Sequence, residues 1–312
     1  MDNSLRPLTL GEILDRTAQL YRSNFLLFSG IFAGVFALYH GVALIFTLSQ
    51  AGVPPAVRAR IFTDPAQAWR AILFIGVELL LMFVLYGLAS AAITRAVAWV
   101  HLGEPATIRA AYRSVLPHLA RFLGLKLLTA IIVFAVWLGS LIGVVIVGAL
   151  AAVALRGAAV VIILPLYLAA FVLPVIVALR YSLAMPACVV ENLGVGGSMR
   201  RSVQLSKGSR GRIFLLWLLV AAVEIAVLLC ALLFFILYPA AHQGQMPIYL
   251  TVLQQFVAFL ANSVVAPILA TGSTLFYFDQ RVRQEGYDIE WMMQAAGMTP
   301  PLPGDGPVSG NE

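Results

Sequence analysis

Long apolar stretches alternate along this chain with shorter segments that carry most of the charged residues. A helix needs about 20 predominantly apolar residues to cross a bilayer core of about 30 Å. Six stretches meet that need, and the pattern predicts an all-α integral membrane protein, a bundle of about six transmembrane helices. The predicted spans are residues 25–48, 71–93, 122–150, 158–180, 213–238 and 248–278.

Three segments outside the spans have the spacing of amphipathic helices, with apolar residues on one stripe and charged residues largely opposite. Helices of this kind lie in the membrane interface with their basic face toward lipid headgroups. Each one precedes two spans, so the chain divides into three units of similar length. One interpretation is three parallel helix-hairpin repeats; the alternative is that any chain of helical hairpins with cytoplasmic termini shows this alternation. The three segments are residues 9–22, 107–121 and 196–207.

Local signals mark the ends of these short helices. Thr9 followed by Glu12 is a capping-box signature for the start of the first. Pro117 is predicted to kink or end the second, because proline lacks a backbone donor and clashes with the preceding turn. Ser198 follows a glycine-rich turn and is predicted to be the N-cap of the third.

The composition excludes a soluble domain, because 61% of the residues are hydrophobic, 11% are charged and the mean hydropathy is +0.94. Residues 1–293 are predicted to form a single polytopic membrane domain. The tail at 294–312 is rich in proline and glycine and is predicted to be disordered in the cytoplasm.

Lysine and arginine fall almost wholly in alternate gaps between the spans. The positive-inside rule makes those gaps cytoplasmic and places both termini in the cytoplasm. The net charge of +6 then requires no nucleic-acid partner, because the basic residues flank spans rather than forming one exposed patch. The chain is predicted to leave the membrane for the last time at Asp279, with Arg281 and Arg283 at headgroup level.

Basic residues of the cytoplasmic segments form a surface for anionic lipid headgroups, each worth about 1 kcal/mol near the membrane. Glu191 is the single acid of its segment and is predicted to pair with Arg200 or Arg201. The alternative interpretation is that the basic residues only set the topology. The predicted partner is thus the bilayer, with a membrane protein as a further candidate. The predicted headgroup-facing residues are Arg109, Arg113, Arg200, Arg201, Lys207, Arg210 and Arg212.

Four polar residues inside spans are candidates for function, because polar groups in a membrane are costly. His40, Glu78, Glu224 and Asn262 all fall about 18–24 Å from the cytoplasmic ends of their spans. In one interpretation this intramembrane polar layer is a proton or substrate site; in the other the residues are neutral and hydrogen-bond between helices. In both, Glu224 is predicted to be protonated, because burial disfavours the charged form, and to donate a hydrogen bond to Asn262 or His40.

Enzymatic motifs are absent from the sequence. The four histidines are scattered without metal-ligand spacing, and there is no nucleophile elbow or phosphate-binding glycine loop. We therefore expect no catalytic residues, no metal and no cofactor.

Three stretches carry a family resemblance: RPLTLGEILDRTAQLYRSNF at 6–25, RYSLAMPACVVENLGVGGSMRRSVQLSKGSRGRIF at 180–214, and FYFDQRVRQEGYDIEWM at 276–292. Together they resemble the bacterial glycerophosphoryl diester phosphodiesterase membrane domain family. The resemblance implies a multi-span protein of the bacterial cytoplasmic membrane. It does not imply phosphodiesterase activity, because the chain has no soluble barrel and no acidic metal-binding cluster to match that enzyme.

These observations support two hypotheses about function. The first is a non-enzymatic multi-pass module that engages lipid or a partner protein through its basic cytoplasmic interfacial helices. The second is a small-solute or lipid transporter that uses the intramembrane polar layer. An intramembrane phosphodiesterase lacks any catalytic constellation. A water-filled cavity that reaches Glu224 would favour transport, and a dry, packed layer would favour the module.

Overall fold

The computed structural model describes residues 8–49, 64–155, 160–241 and 247–286. Over these ranges the chain forms ten α-helices and no strand, which confirms the all-α prediction. The segment around residue 58 and the predicted tail at 294–312 lie outside the described residues. The helices are α1 (Leu10–Ser23), α2 (Phe25–Ser49), α3 (Pro65–His101), α4 (Ile108–Val115), α5 (Leu119–Leu155), α6 (Val160–Arg180), α7 (Ala184–Val190), α8 (Val195–Ser206), α9 (Arg210–Ala241) and α10 (Ile248–Glu285).

Six of the described helices, α2, α3, α5, α6, α9 and α10, are long and apolar enough to cross a membrane, in the predicted order. Several are longer than the predicted spans. Helices α3 and α5 have 37 residues each and α10 has 38, so each extends about 55 Å. A hydrocarbon core of about 30 Å covers only part of that length, and these helices therefore project beyond it.

The short helices α1, α4, α7 and α8, which we call the collar, lie at one end of the bundle. The long helices alternate in direction. The first residues of α2, α5 and α9 therefore lie at the same end of the bundle as the last residues of α3, α6 and α10. The collar helices occupy the connections at that end, and they pack against α2, α3, α5 and α10. The order of one short helix before two long ones recurs three times, with α7 as an additional short helix in the third unit.

Burial differs sharply between the two ends. At the collar end α3 is packed, with Ala92, Ile93 and Val97 fully buried, and α10 is packed around Tyr277. Toward the other end large apolar side chains point outward, and Leu79 on α3 is 66% exposed. A soluble protein rarely exposes contiguous apolar surface of this extent. Lipid tails cover such a surface, so the gradient in burial fits a bundle embedded in a membrane.

Two of the predicted helix-end signals are confirmed. Thr9 and Glu12 form the complete capping box, with the Thr9 backbone amide 2.7 Å from the Glu12 carboxylate and the Glu12 amide 3.3 Å from the Thr9 hydroxyl. Helix α4 ends at Val115, and Pro117 lies in a 3₁₀ turn that leads directly into α5. Both outcomes follow from local backbone chemistry.

The predicted N-cap of α8 is wrong. Gly194 is the N-cap, and α8 begins at Val195. Ser198 lies inside the helix, fully buried, and its hydroxyl donates to the Gly194 carbonyl at 2.8 Å. The glycines that indicate a turn by composition form the first turn of the helix instead, where α8 packs against neighbouring helices.

Candidate functional site

His40 on α2 is the centre of the intramembrane polar layer. Its side chain is buried, with Nδ1 2.9 Å from the Gln255 Oε1 and Nε2 3.2 Å from the Asn262 Nδ2. The Asn262 amide donates to Nε2, so Nδ1 carries the ring proton and donates to Gln255. Gln255 and Asn262 lie two helical turns apart on α10 and so share one face. The result is a neutral hydrogen-bonded chain that joins α2 to α10.

Glu78 on α3 joins the layer through a different residue. Its carboxylate lies close enough to the Tyr39 hydroxyl to interact with it electrostatically. The Tyr39 and His40 rings meet edge to face with centroids 5.1 Å apart. Glu78 is therefore a neighbour of the His40 chain and not a direct member of it.

Glu224 on α9 lies apart from these hydrogen bonds. Its side chain is exposed and lines a cavity of about 450 Å³ together with Gln254 and Asn262. Among the hydrogen bonds of the described residues none involves Glu224. Its two predicted partners, His40 and Asn262, bond to each other. The predicted hydrogen bond from Glu224 to His40 or Asn262 is thus not formed, and the side chain faces the cavity on a helix that is long and apolar enough to cross a membrane.

Asp279 on α10 is the most buried charge at the collar end, with a side chain that is 0% exposed. Its Oδ1 accepts from the Leu8 backbone amide at 2.7 Å. The Arg283 Nε lies 3.0 Å from Oδ2, the Arg212 Nη1 lies 3.5 Å from it, and the neighbouring Gln280 amide donates to it. Both arginines also donate to the Leu8 carbonyl. The sequence predicted only that the chain leaves the membrane at Asp279, which stays a prediction; the structure adds that the residue is a buried link between the N-terminal segment, α9 and α10.

A second cluster of charges lies beside it. The Arg201 Nε on α8 donates to Glu191 at 2.8 Å, and its Nη2 donates to Glu285 at 2.6 Å. The Tyr277 hydroxyl donates to Glu191 at 2.6 Å, and Arg281 lies 3.2 Å from Glu285. The hydrogen bond to Glu285, with a further one to Glu191, raises the pKa of Arg201 above its ordinary value, so the guanidinium stays charged. The predicted pairing of Glu191 is confirmed for Arg201.

These contacts divide the predicted headgroup-facing residues. Arg201 and Arg212 are held in ion pairs within the protein and do not form a free basic surface. Arg210 is partly buried. The exposed members are Arg109, Arg113, Arg200 and Lys207.

Sequence reasoning missed Asp279, Tyr277 and Glu285. One signal was present, because Asp279 with Arg283 and Arg281 with Glu285 have the i,i+4 spacing of helical ion pairs. That spacing does not reveal that Asp279 also binds the backbone at Leu8. Within the described ranges, His, Cys, Asp and Glu nowhere gather into a group of three that could hold a metal ion.

The chain matches, over residues 8–280, a family described as a domain of unknown function, DUF7847. The match covers most of the chain, and the protein belongs to this family. No curated protein and no solved structure matches the chain. The comparisons give no support for the phosphodiesterase membrane-domain resemblance, which stays a prediction.

Replacing His40 tests the neutral chain. His40→Leu keeps the approximate volume and leaves Gln255 and Asn262 without their partner, which is expected to cost about 1–2 kcal/mol. We expect a lower midpoint of thermal unfolding in detergent. The control is Glu224→Gln, which removes an exposed carboxylate and should leave the midpoint unchanged. Equal midpoints for wild type and His40→Leu would show that the chain does not hold α2 to α10.

Replacing Asp279 tests the buried link. Asp279→Asn keeps the shape and removes the charge that two arginines share, and a hydrogen bond to a charged group is worth about 1.5–3 kcal/mol. Thermal unfolding should begin at a lower temperature, and limited proteolysis should cut earlier near Leu8. The matched control, Asp15→Asn, changes an exposed aspartate of α1. If both variants behave like wild type, the link contributes nothing measurable.

Proposed function

We propose that this protein is a non-enzymatic multi-pass module of the bacterial cytoplasmic membrane, and that its collar faces the cytoplasm and binds anionic lipid headgroups. The placement rests on the positive-inside rule and on the resemblance to the phosphodiesterase membrane domain family. The observation that carries the proposal is the division of the basic residues into paired and exposed sets.

The exposed set belongs to two collar helices. Arg109 and Arg113 lie on α4 and Arg200 on α8, with Lys207 directly after α8. These four residues make no ion pair among the described residues. Their charge is therefore available to external anions, at about 1 kcal/mol for each residue near the membrane surface.

The two helices lie on neighbouring parts of one end. Helix α4 leads through the 3₁₀ turn into α5, and α8 packs against α5. Arg121 in the first turn of α5 donates to the Asn192 backbone carbonyl at 3.1 Å and to its side chain at 2.6 Å. Asn192 precedes α8, so this contact ties the α4–α5 junction to the start of α8. Such an arrangement supports a shared basic surface.

A second candidate function is the transport of a small solute or lipid. The observation that favours it is the cavity of about 450 Å³ that reaches Glu224, Gln254 and Asn262, since ligand sites are clefts of about 300–1,000 Å³ with a few polar groups. Under this alternative Glu224→Gln abolishes transport while the fold stays intact. Under the module, Glu224→Gln has no functional effect.

The headgroup proposal predicts a charge-dependent response to lipid. In zwitterionic phosphatidylcholine micelles, added phosphatidylglycerol should raise the unfolding midpoint of the wild type, and salt should weaken the rise. A variant with glutamine at Arg109, Arg113, Arg200 and Lys207 should lose most of it.

The matched control keeps the charge, with lysine at Arg109, Arg113 and Arg200, and should respond like wild type. Native mass spectrometry should show fewer phosphatidylglycerol molecules retained by the glutamine variant alone. A glutamine variant that responds like wild type would overturn the proposal, because the four charges would then play no part in lipid binding.

A further inference from the structure

A second cavity lies in the bundle near the collar, and none of the residues discussed above lines it. Its volume is about 200 Å³, room for roughly six water molecules at about 30 Å³ each. Helices α3, α5, α6, α7, α9 and α10 all contribute to its wall. The polar groups with no role elsewhere are Tyr86, Lys126, Tyr181, Trp217 and Ser273.

Lys126 is the one cation in the wall of this cavity, and the wall contains no carboxylate. The residue lies about 10 Å along α5 from its first residue. Its ammonium nitrogen lies 5.5 Å from the centre of the Tyr86 ring, and it makes no ion pair among the described residues. Glu224 lies near enough to Tyr86 to interact with it electrostatically, yet it does not pair with Lys126.

The position of the ammonium group matters because lysines near span ends usually extend toward the headgroups. Here the group stays inside, over Tyr86 and against the cavity. A charge at such a site is costly in a membrane, and one cation–π contact offsets only part of that cost. A charged Lys126 would therefore have no counter-ion among the described residues.

The neutral groups around the cavity fall into two kinds. The hydroxyls of Ser90, Thr94 and Thr129 donate to carbonyls of their own helices. The Trp217 Nε1, by contrast, is buried and lacks a hydrogen-bond partner in the described structure. The Tyr181 and Ser273 hydroxyls likewise make none of the hydrogen bonds found among the described residues.

Indole N–H and ammonium groups can only donate hydrogen bonds. A ligand that satisfies both must therefore accept, and one that also balances the charge must be an anion. We propose that this cavity binds a carboxylate or phosphate group, with Lys126 as counter-ion and Trp217, Tyr181 and Ser273 as neutral donors. The volume fits a headgroup-sized anion, which belongs either to a lipid with its acyl chains outside the cavity or to a free solute.

Acylation can be followed separately at this site and at the exposed basic surface, because the chain contains two lysines, Lys126 and Lys207. In purified full-length protein, an amine-acylating reagent is applied with and without a probe anion, and mass spectrometry quantifies modification at each lysine. One probe is inorganic phosphate, compared with chloride at equal ionic strength. The other is dihexanoyl phosphatidic acid, compared with dihexanoyl phosphatidylcholine.

We expect the anion to slow acylation of Lys126 several-fold, whether or not Lys207 on the exposed basic surface is also protected. Protection by inorganic phosphate identifies a free anion as a sufficient ligand. Protection by the short-chain phosphatidic acid alone identifies a lipid headgroup. Equal acylation of Lys126 with and without both probes would overturn the proposal.

Variants provide an independent readout. The protecting anion should raise the unfolding midpoint of the wild type and of the surface control Asp15→Asn by about 2–4 °C. Lys126→Met should lose that rise, and Trp217→Phe, which keeps the ring and removes the donor, should reduce it. A full rise in Lys126→Met would also overturn the proposal. If that variant does not fold, Trp217→Phe and the acylation of wild-type protein decide the outcome.

Discussion

The buried carboxylate of Asp279 is the interaction on which the collar end depends. It binds the Leu8 backbone amide and two arginines from α9 and α10, with no exposed side-chain surface. A buried charge is tolerated only when it is paired and hydrogen-bonded, and this carboxylate is both. Because Leu8 directly precedes the capping box of α1, the contact fixes where the first collar helix begins against the last span. The neighbouring cluster around Arg201 fixes α8 against the same helix.

This arrangement sorts charge by position in the bundle. At the collar end Arg201 pairs with Glu191 and Glu285, and Arg212 pairs with Asp279. The arginines Arg109 and Arg113 on α4 and Arg200 on α8 remain exposed. Deeper in the bundle His40 bonds only to the neutral side-chain amides of Gln255 and Asn262. Lys126 departs from this pattern as a cation beside a cavity with unpaired donors. The exception is the reason for assigning an anion to that cavity.

The parts of the fold that depend on local sequence were predictable. Span length gave the six long helices, and backbone chemistry gave the Thr9–Glu12 capping box and the break at Pro117. Depth along a span correctly brought His40 and Asn262 together. It does not encode helix rotation, so it did not show that Glu224 lines a cavity with Asn262 without bonding to either residue. Asp279 and Leu8 are 271 positions apart in the sequence, and the periodicity of apolar residues does not predict a contact between them. Six helices line the cavity beside Lys126, so the periodicity of apolar residues does not predict it either.

The proposed function depends on a collar that lies in the cytoplasm and an opposite end of the bundle that faces outward. This orientation is tested most directly in intact bacteria with single cysteines at two exposed positions, Arg109 on α4 and Arg70 near the start of α3, after replacement of Cys188 and Cys230. A membrane-impermeant maleimide should label the cysteine at position 70 in intact cells, and the one at position 109 only after the membrane is permeabilised. Labelling of position 109 in intact cells, with position 70 protected, would reverse the topology and contradict the account.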